Sequence, residues 1–188
     1  MKLSYRSILF AAFLIFITVV TKLLFASQIS LSGFTPIFAI ALFSGMIVKE
    51  KNATFLMPLL ALFLSDVVIE ILFRANLFAF KGFYKGQIFN YALLLLATLI
   101  GWAIKGKNYN SIILGSIAAP TVFFLLSNAS VWLGSTISYS KDLSGLITCY
   151  VAGLPFYKNE LFATVVFLPI IMFAWNYIVQ QKSKLVIA

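Results

Sequence analysis

The stretch from Pro58 to Arg74, PLLALFLSDVVIEILFR, sets Asp66 and Glu70 inside an apolar run long enough to cross a bilayer. Four residues apart, the two acids share one face of a helix, and Arg74 extends the row by another turn. On a soluble helix such a row is a solvated stripe. Here Leu, Phe, Val and Ile surround it, and an ionisable side chain at membrane depth costs about 2.5–3.5 kcal/mol on insertion scales. The chain therefore has to turn this face inward and build a bundle around it. Asp66, the deeper of the two, is the first candidate for a functional site.

Composition supports the membrane setting. Of 188 residues, 62% are hydrophobic and 10% charged, against about 25% charged in an ordinary soluble domain. The net charge of +9 raises the question of nucleic acid. The Lys and Arg residues, however, fall in small clusters between apolar runs rather than along one face, which points to membrane topology instead of nucleic acid. The single cysteine, Cys149, rules out an intramolecular disulfide and a cysteine metal cluster. With no histidine, Ser-His and Cys-His nucleophile pairs, zinc-protease motifs and haem ligation by His are absent too. No cofactor is implied.

The expected fold is an all-α integral membrane protein forming a single domain over residues 1–188. Six transmembrane helices, arranged as three helical hairpins, are expected at about 8–26, 34–48, 53–73, 88–104, 111–136 and 161–179. Ala26 and Ser27 would suit a signal-peptide cleavage site, but the first apolar run exceeds the usual h-region, so a retained helix is the expectation. Lys2, Arg6, Lys49, Lys51, Lys105, Lys107, Lys182 and Lys184 sort to one side; Arg74, Lys81, Lys85, Lys141 and Lys158 sort to the other. Short loops carry that bias, which predicts a multi-pass protein of the bacterial cytoplasmic (inner) membrane with both termini in the cytoplasm.

Two internal features stand out. Pro58 is followed after seven and eight residues by Ser65 and Asp66, and Pro120 at the same spacing by Ser127 and Asn128. This spacing predicts a repeat of helices three and four in helices five and six, with Asp66 and Asn128 at matching depth. In the last outer loop, Leu143, Leu146, Ile147 and Tyr150 follow an i, i+3, i+4, i+7 pattern that predicts a short amphipathic helix. Gly153 and Pro155 are expected to end it, and the segment from Tyr150 to Tyr157 to lie over the outer mouth as a lid.

The candidate substrate-binding residues are Asp66, Glu70, Asn90, Ser127, Asn128, Tyr150 and Tyr157. Asp66 and Glu70 have three open roles: a proton or cation relay, a contact to a cationic substrate group, or ion pairs with Lys22 or Arg74. Asn90, Ser127 and Asn128 are neutral donors and acceptors whose plain alternative is interhelical bonding, worth about 0.6 kcal/mol each. On helix one, Ser7 and Ala11 are small enough to let another helix approach closely.

The segments GFTPIFAIALFSG, LMPLLALFLSDVVIE, GFYKGQ and CYVAGLPFYKNELF together resemble an uncharacterised bacterial family of six-helix candidate transport proteins. More distantly, length, helix count and compact hairpins are similar to the substrate-binding (S) components of energy-coupling factor transporters. That resemblance implies a ligand pocket on the outer side and a small-residue face on helix one that docks on a transmembrane coupling subunit. Ser7 and Ala11 match such a face, while Ile15 stands where a third small residue belongs. The leading expectation is a small-molecule membrane transport protein, not an enzyme, whose partners are the lipid bilayer, an unknown small-molecule substrate and such a coupling subunit. A non-transport scaffold or assembly subunit of the inner membrane is the alternative.

Overall fold

The structure, a computed structural model, describes residues 5–25, 28, 30–48, 50–105, 108–134 and 139–181. Lys2, Lys49, Lys107, Lys182 and Lys184, and the expected helix ends at Ala26 and Thr136, lie outside the described residues. Among those described there are six α-helices and no strand: α1 (Tyr5–Phe25), α2 (Ile37–Ile47), α3 (Lys51–Arg74), α4 (Gln87–Ala103), α5 (Tyr109–Gly134) and α6 (Leu143–Ile178). Four of them, α1, α3, α5 and α6, are long and apolar enough to cross a membrane.

The bundle is built around its shortest member. All of α2 except Ile47 is buried, as expected of a helix that is apolar all the way round. It packs on α4, α3 and α6 and is also in contact with α5. The closest approach is to α4, through two glycines. A Cβ on Gly45 would fall on the Thr98 carbonyl and the Trp102 amide, and a Cβ on Gly101 would fall on the Leu42 backbone. At the far end of α2, Phe43 meets Phe10 of α1 and Trp175 of α6, with ring centroids 5.4 and 5.6 Å away. At its near end, Phe38 meets Phe123 of α5 at 4.9 Å.

The last helix departs from expectation. Residues 143–178 form one helix of 36 residues rather than a short lid helix, a loop and a sixth span. Gly153 and Pro155 do not end it. The reason is packing along α5: Phe124 holds Tyr150 and Tyr157 at centroid distances of 5.5 and 4.8 Å. The Tyr150 hydroxyl donates to the Leu125 carbonyl at 2.8 Å, and buried Gly153 lets the Asn128 side chain lie against the α6 backbone. Tertiary contacts of this kind override the local stop signals. At about 1.5 Å per residue the helix is roughly 54 Å long, well beyond a hydrocarbon core of about 30 Å. Asp142 caps its start, accepting from the Gly145 amide at 2.8 Å and the Ser140 hydroxyl at 2.7 Å.

Two predictions follow from these contacts. Gly45→Ala and Gly101→Ala are each expected to destabilise the protein by about 1–3 kcal/mol, because the added methyl meets backbone that cannot repack. Gly134→Ala, whose Cβ meets nothing within 4 Å, is the control; thermal melts in detergent that fail to separate the three would refute the glycine contact. The second concerns Asp142, whose carboxyl the Gly145 amide and Ser140 hydroxyl hold below the usual carboxylate range. A carboxyl lowered on folding stabilises above its ordinary value and loses that contribution as pH falls through its folded value. Protection of the first amides of α6, corrected for intrinsic exchange, should therefore drop at low pH in the native chain and be already reduced in Asp142→Ala.

Candidate functional site

The C-terminal parts of α1 and α3 and the N-terminal parts of α2 and α4 meet at one end of the bundle and line an open cavity of about 300 Å3. Asp66 lies in its wall and is buried. One carboxylate oxygen, Oδ1, takes the Lys22 ammonium from α1 as an ion pair. The other, Oδ2, accepts from Gln87 Nε2 and from the Tyr91 hydroxyl, each at 2.5 Å. A buried carboxylate is tolerable only when its lone pairs are filled and its charge is matched, and this one has both. Helix spacing explains the donors, since Gln87 and Tyr91 stand four residues apart on one face of α4.

Glu70 serves the same end of the bundle without lining the cavity. Its Oε1 accepts from Arg74 Nε at 2.7 Å. Its Oε2 accepts from the Gly82 and Phe83 amides at 3.2 and 3.4 Å. Gly82 lies directly on the α3 backbone at Asp66 and Glu70, where a Cβ would have no room. Gln87 Nε2 also reaches the Gly82 carbonyl at 3.1 Å. The segment between α3 and α4 is thereby folded back over the cavity, and Phe78, Phe80 and Tyr84 line it from that side. Asn90 lines it too, donating to the Tyr84 hydroxyl at 2.9 Å.

The opposite wall comes from the α1–α2 connection and α6. Buried Asn159 donates to the Ser30 and Ser32 carbonyls at 2.9 and 2.8 Å. Gly33, with φ +88°, passes so close to α6 that a Cβ would sit 3.2 Å from the Phe156 carbonyl. This clamp brings Ser32, Gly33 and Thr35 to the cavity beside Glu160, an acid that also lines it.

The other candidates stand elsewhere. Ser127 and Asn128 both bond the Phe124 carbonyl within α5, at 3.4 and 2.8 Å. Tyr150 and Tyr157 pack on α5, Tyr157 sharing a 2.9 Å hydrogen bond with Thr121. All four belong to the α5–α6 seam, and none lines the cavity. Ser7 and Ala11 are half-buried on α1. Asp66 and Asn90 are thus the sequence-derived candidates that the structure brings together, and Lys22 joins them as the pairing partner foreseen among the alternatives.

Sequence reasoning missed Gln87, Tyr91, Asn159 and Glu160. Gln87, Asn90 and Tyr91 form an i, i+3, i+4 polar face at the head of an apolar helix, a signal that was available. Glu160 was overlooked because Gly153 and Pro155 seemed to place it in a loop. Among the described residues no group of three or more His, Cys, Asp or Glu could hold a metal ion.

Removing the Asp66 charge should be costly. Asp66→Asn leaves a largely buried Lys22 without a counter-charge, an expected loss of about 3–5 kcal/mol. The double variant Lys22→Met/Asp66→Leu should lose much less than the sum of its single changes, as thermal unfolding of the four proteins will show. An Asp66→Asn protein that melts like the wild type would refute the buried pair.

The model of a family of unknown function, DUF6580, matches residues 2–186, and the chain belongs to that family. No curated protein and no solved structure matches the chain.

Proposed function

We propose that this member of a family of unknown function is a multi-pass protein of the inner membrane that binds a small molecule in an outward-facing cavity, in the manner of the S components of energy-coupling factor transporters. The observation that carries the reading is the cavity itself. It is about 300 Å3, lined by phenylalanines and other apolar side chains with polar groups at Lys22, Asp66, Tyr84, Asn90 and Glu160. Ligand pockets of this build run from about 300 to 1,000 Å3.

The topology that accompanies it has six crossings with both termini in the cytoplasm, so that the cavity faces outward. In this reading α2 crosses only part of the membrane, since 11 residues span roughly 17 Å. The segment 30–36 completes its passage. Non-helical backbone at membrane depth is tolerated where it is buried in protein or lines a cavity, and Ser32, Gly33 and Thr35 line this one. Arg6, Lys51 and Lys105 then lie on the cytoplasmic side. Arg74, Lys81, Lys85, Lys141 and Lys158 lie outside.

Asp66 acts here as the anchor of the cavity wall, with Asn90 and Tyr84 presenting polar atoms to the ligand. A coupling subunit would dock on the α1 side, where Ser7 and Ala11 stand.

Native mass spectrometry of the protein purified from its membrane is the direct test. A non-covalent small molecule retained at one copy per chain, and lost when Asn90→Leu and Tyr84→Leu alter the lining, is the expected result. A protein that carries only lipid, unaffected by those changes, would instead favour a scaffold role.

A further inference from the structure

Outside the Lys22–Asp66 pair the cavity lining holds two more amine or carboxyl side chains, Glu160 and exposed Lys81. Lys22 and Asp66 neutralise each other, and Lys81 at the rim lies over the Phe73 ring, 5.8 Å from its centroid. Glu160 is different. Its backbone carbonyl accepts from Thr164 within α6, but among the described residues its carboxylate has neither a hydrogen bond nor an ion pair. The side chain lines the cavity and is only partly accessible. Gly33 is the residue beside it: a Cβ there would come to 3.5 Å from Glu160 Cγ. The neighbouring residue, Asn159, spends its amide on the Ser30 and Ser32 carbonyls and so holds that space open without occupying it.

An acid kept at the wall of an apolar cavity with no partner is expensive when ionised. Nothing in the fold repays the expense, since Glu160 holds no helix or loop in place through its carboxylate. A bound counter-charge would repay it. The remaining lining narrows the kind of cation. Phe25, Phe38, Phe78, Phe80 and Phe123 supply ring surface, which attracts weakly hydrated organic ammonium groups by cation–π contact and offers no oxygen cage to a metal ion.

We propose that the ligand is an organic cation: an ammonium group on a compact apolar or aromatic body, its charge against Glu160 and its body among the phenylalanines. The proposal rests on the small-molecule reading of the cavity and gives its ligand a chemical class.

Three probes of similar shape separate the possibilities: 2-phenylethylamine, 3-phenylpropanamide and 3-phenylpropionate, which are cationic, neutral and anionic at pH 7. Binding to the purified chain in nanodiscs is measured by isothermal titration, with native mass spectrometry alongside. The amine is expected to bind at least about tenfold more tightly than the amide, as a charge-assisted contact predicts, and the propionate weakest. Glu160→Gln should abolish the preference for the amine over the amide. Glu160→Asp should keep a reduced preference. Without any probe, Glu160→Gln should melt at or above the wild-type temperature, because it removes a carboxyl that has no partner; a structural carboxyl would give a lower one.

A wild-type protein that binds amide or propionate as tightly as the amine overturns the cation assignment while the small-molecule cavity stands. So does a preference for the amine that survives Glu160→Gln. Failure of all three probes to bind, together with no retained small molecule by mass spectrometry, removes both readings.

Discussion

A lysine and an aspartate held together away from water set the terms for this bundle. Desolvating two charges costs several kcal/mol for each ion, and their attraction repays it only when the geometry is good and the remaining lone pairs are filled. Asp66 meets both conditions through Lys22, Gln87 and Tyr91. Each partner fixes an element. Lys22 ties the end of α1 to α3, and Gln87 and Tyr91 tie the first turn of α4 to the same point. Gln87 also takes hold of the segment that precedes it, through the Tyr84 amide at 3.1 Å and the Gly82 carbonyl. Saturating one carboxylate therefore ties α1, α3 and α4 together at one end of the bundle, beside the open cavity that Asp66 lines.

The short buried α2 is the second half of the same design. At 11 residues α2 is too short to cross a membrane as a helix, and the chain before it runs as irregular backbone against the bundle. Its polar groups need partners there. Asn159 supplies two donors to Ser30 and Ser32, and turn bonds such as Ser32 to the Gln28 carbonyl at 2.7 Å supply others. What results is a stretch of peptide and small side chains facing a cavity, where a full-length helix would have presented only its apolar surface. The glycine contact between Gly45 and Gly101 matters for this reason. It lets α2 sink close against α4, low enough to leave room above it.

Much of this was legible in the sequence. Apolar runs bounded by short basic turns marked all six helices within a few residues of their observed ends, apart from the start of α6. An acid in an apolar helix pointed to Asp66, and Lys22 was named among its partners. Two things were hidden. The first was the continuation of α6 through Gly153 and Pro155, because its cause lies in Phe124, Leu125, Thr121 and Asn128 of another helix, which no local pattern reports. The second was Glu160, which was hidden by the first: an acid read as part of a solvated loop raises no question, whereas the same acid within a helix does. Gln87 was a plainer omission, since an amide at the head of an apolar helix has to bond something.

The comparison of Asp66 with Asn128 shows how little separates a cavity from a packed seam. Both follow a helix-internal proline at the same spacing, and both are preceded by a serine whose hydroxyl bonds the carbonyl three residues back, at Leu62 and Phe124. Asn128 is neutral. Its amide donates to its own helix at Phe124, and its oxygen rests against Gly153, so α6 can close onto α5 with only a hydrogen-bonded amide and aromatic rings between them. Asp66 cannot be satisfied by its own helix, because a carboxylate has no proton to give and needs a cation. It draws side chains from α1 and α4 instead. The charged residue therefore lies in the wall of a cavity and the amide in a packed seam, and Glu160, whose carboxyl has no hydrogen bond or ion pair among the described residues, lines the same cavity as Asp66.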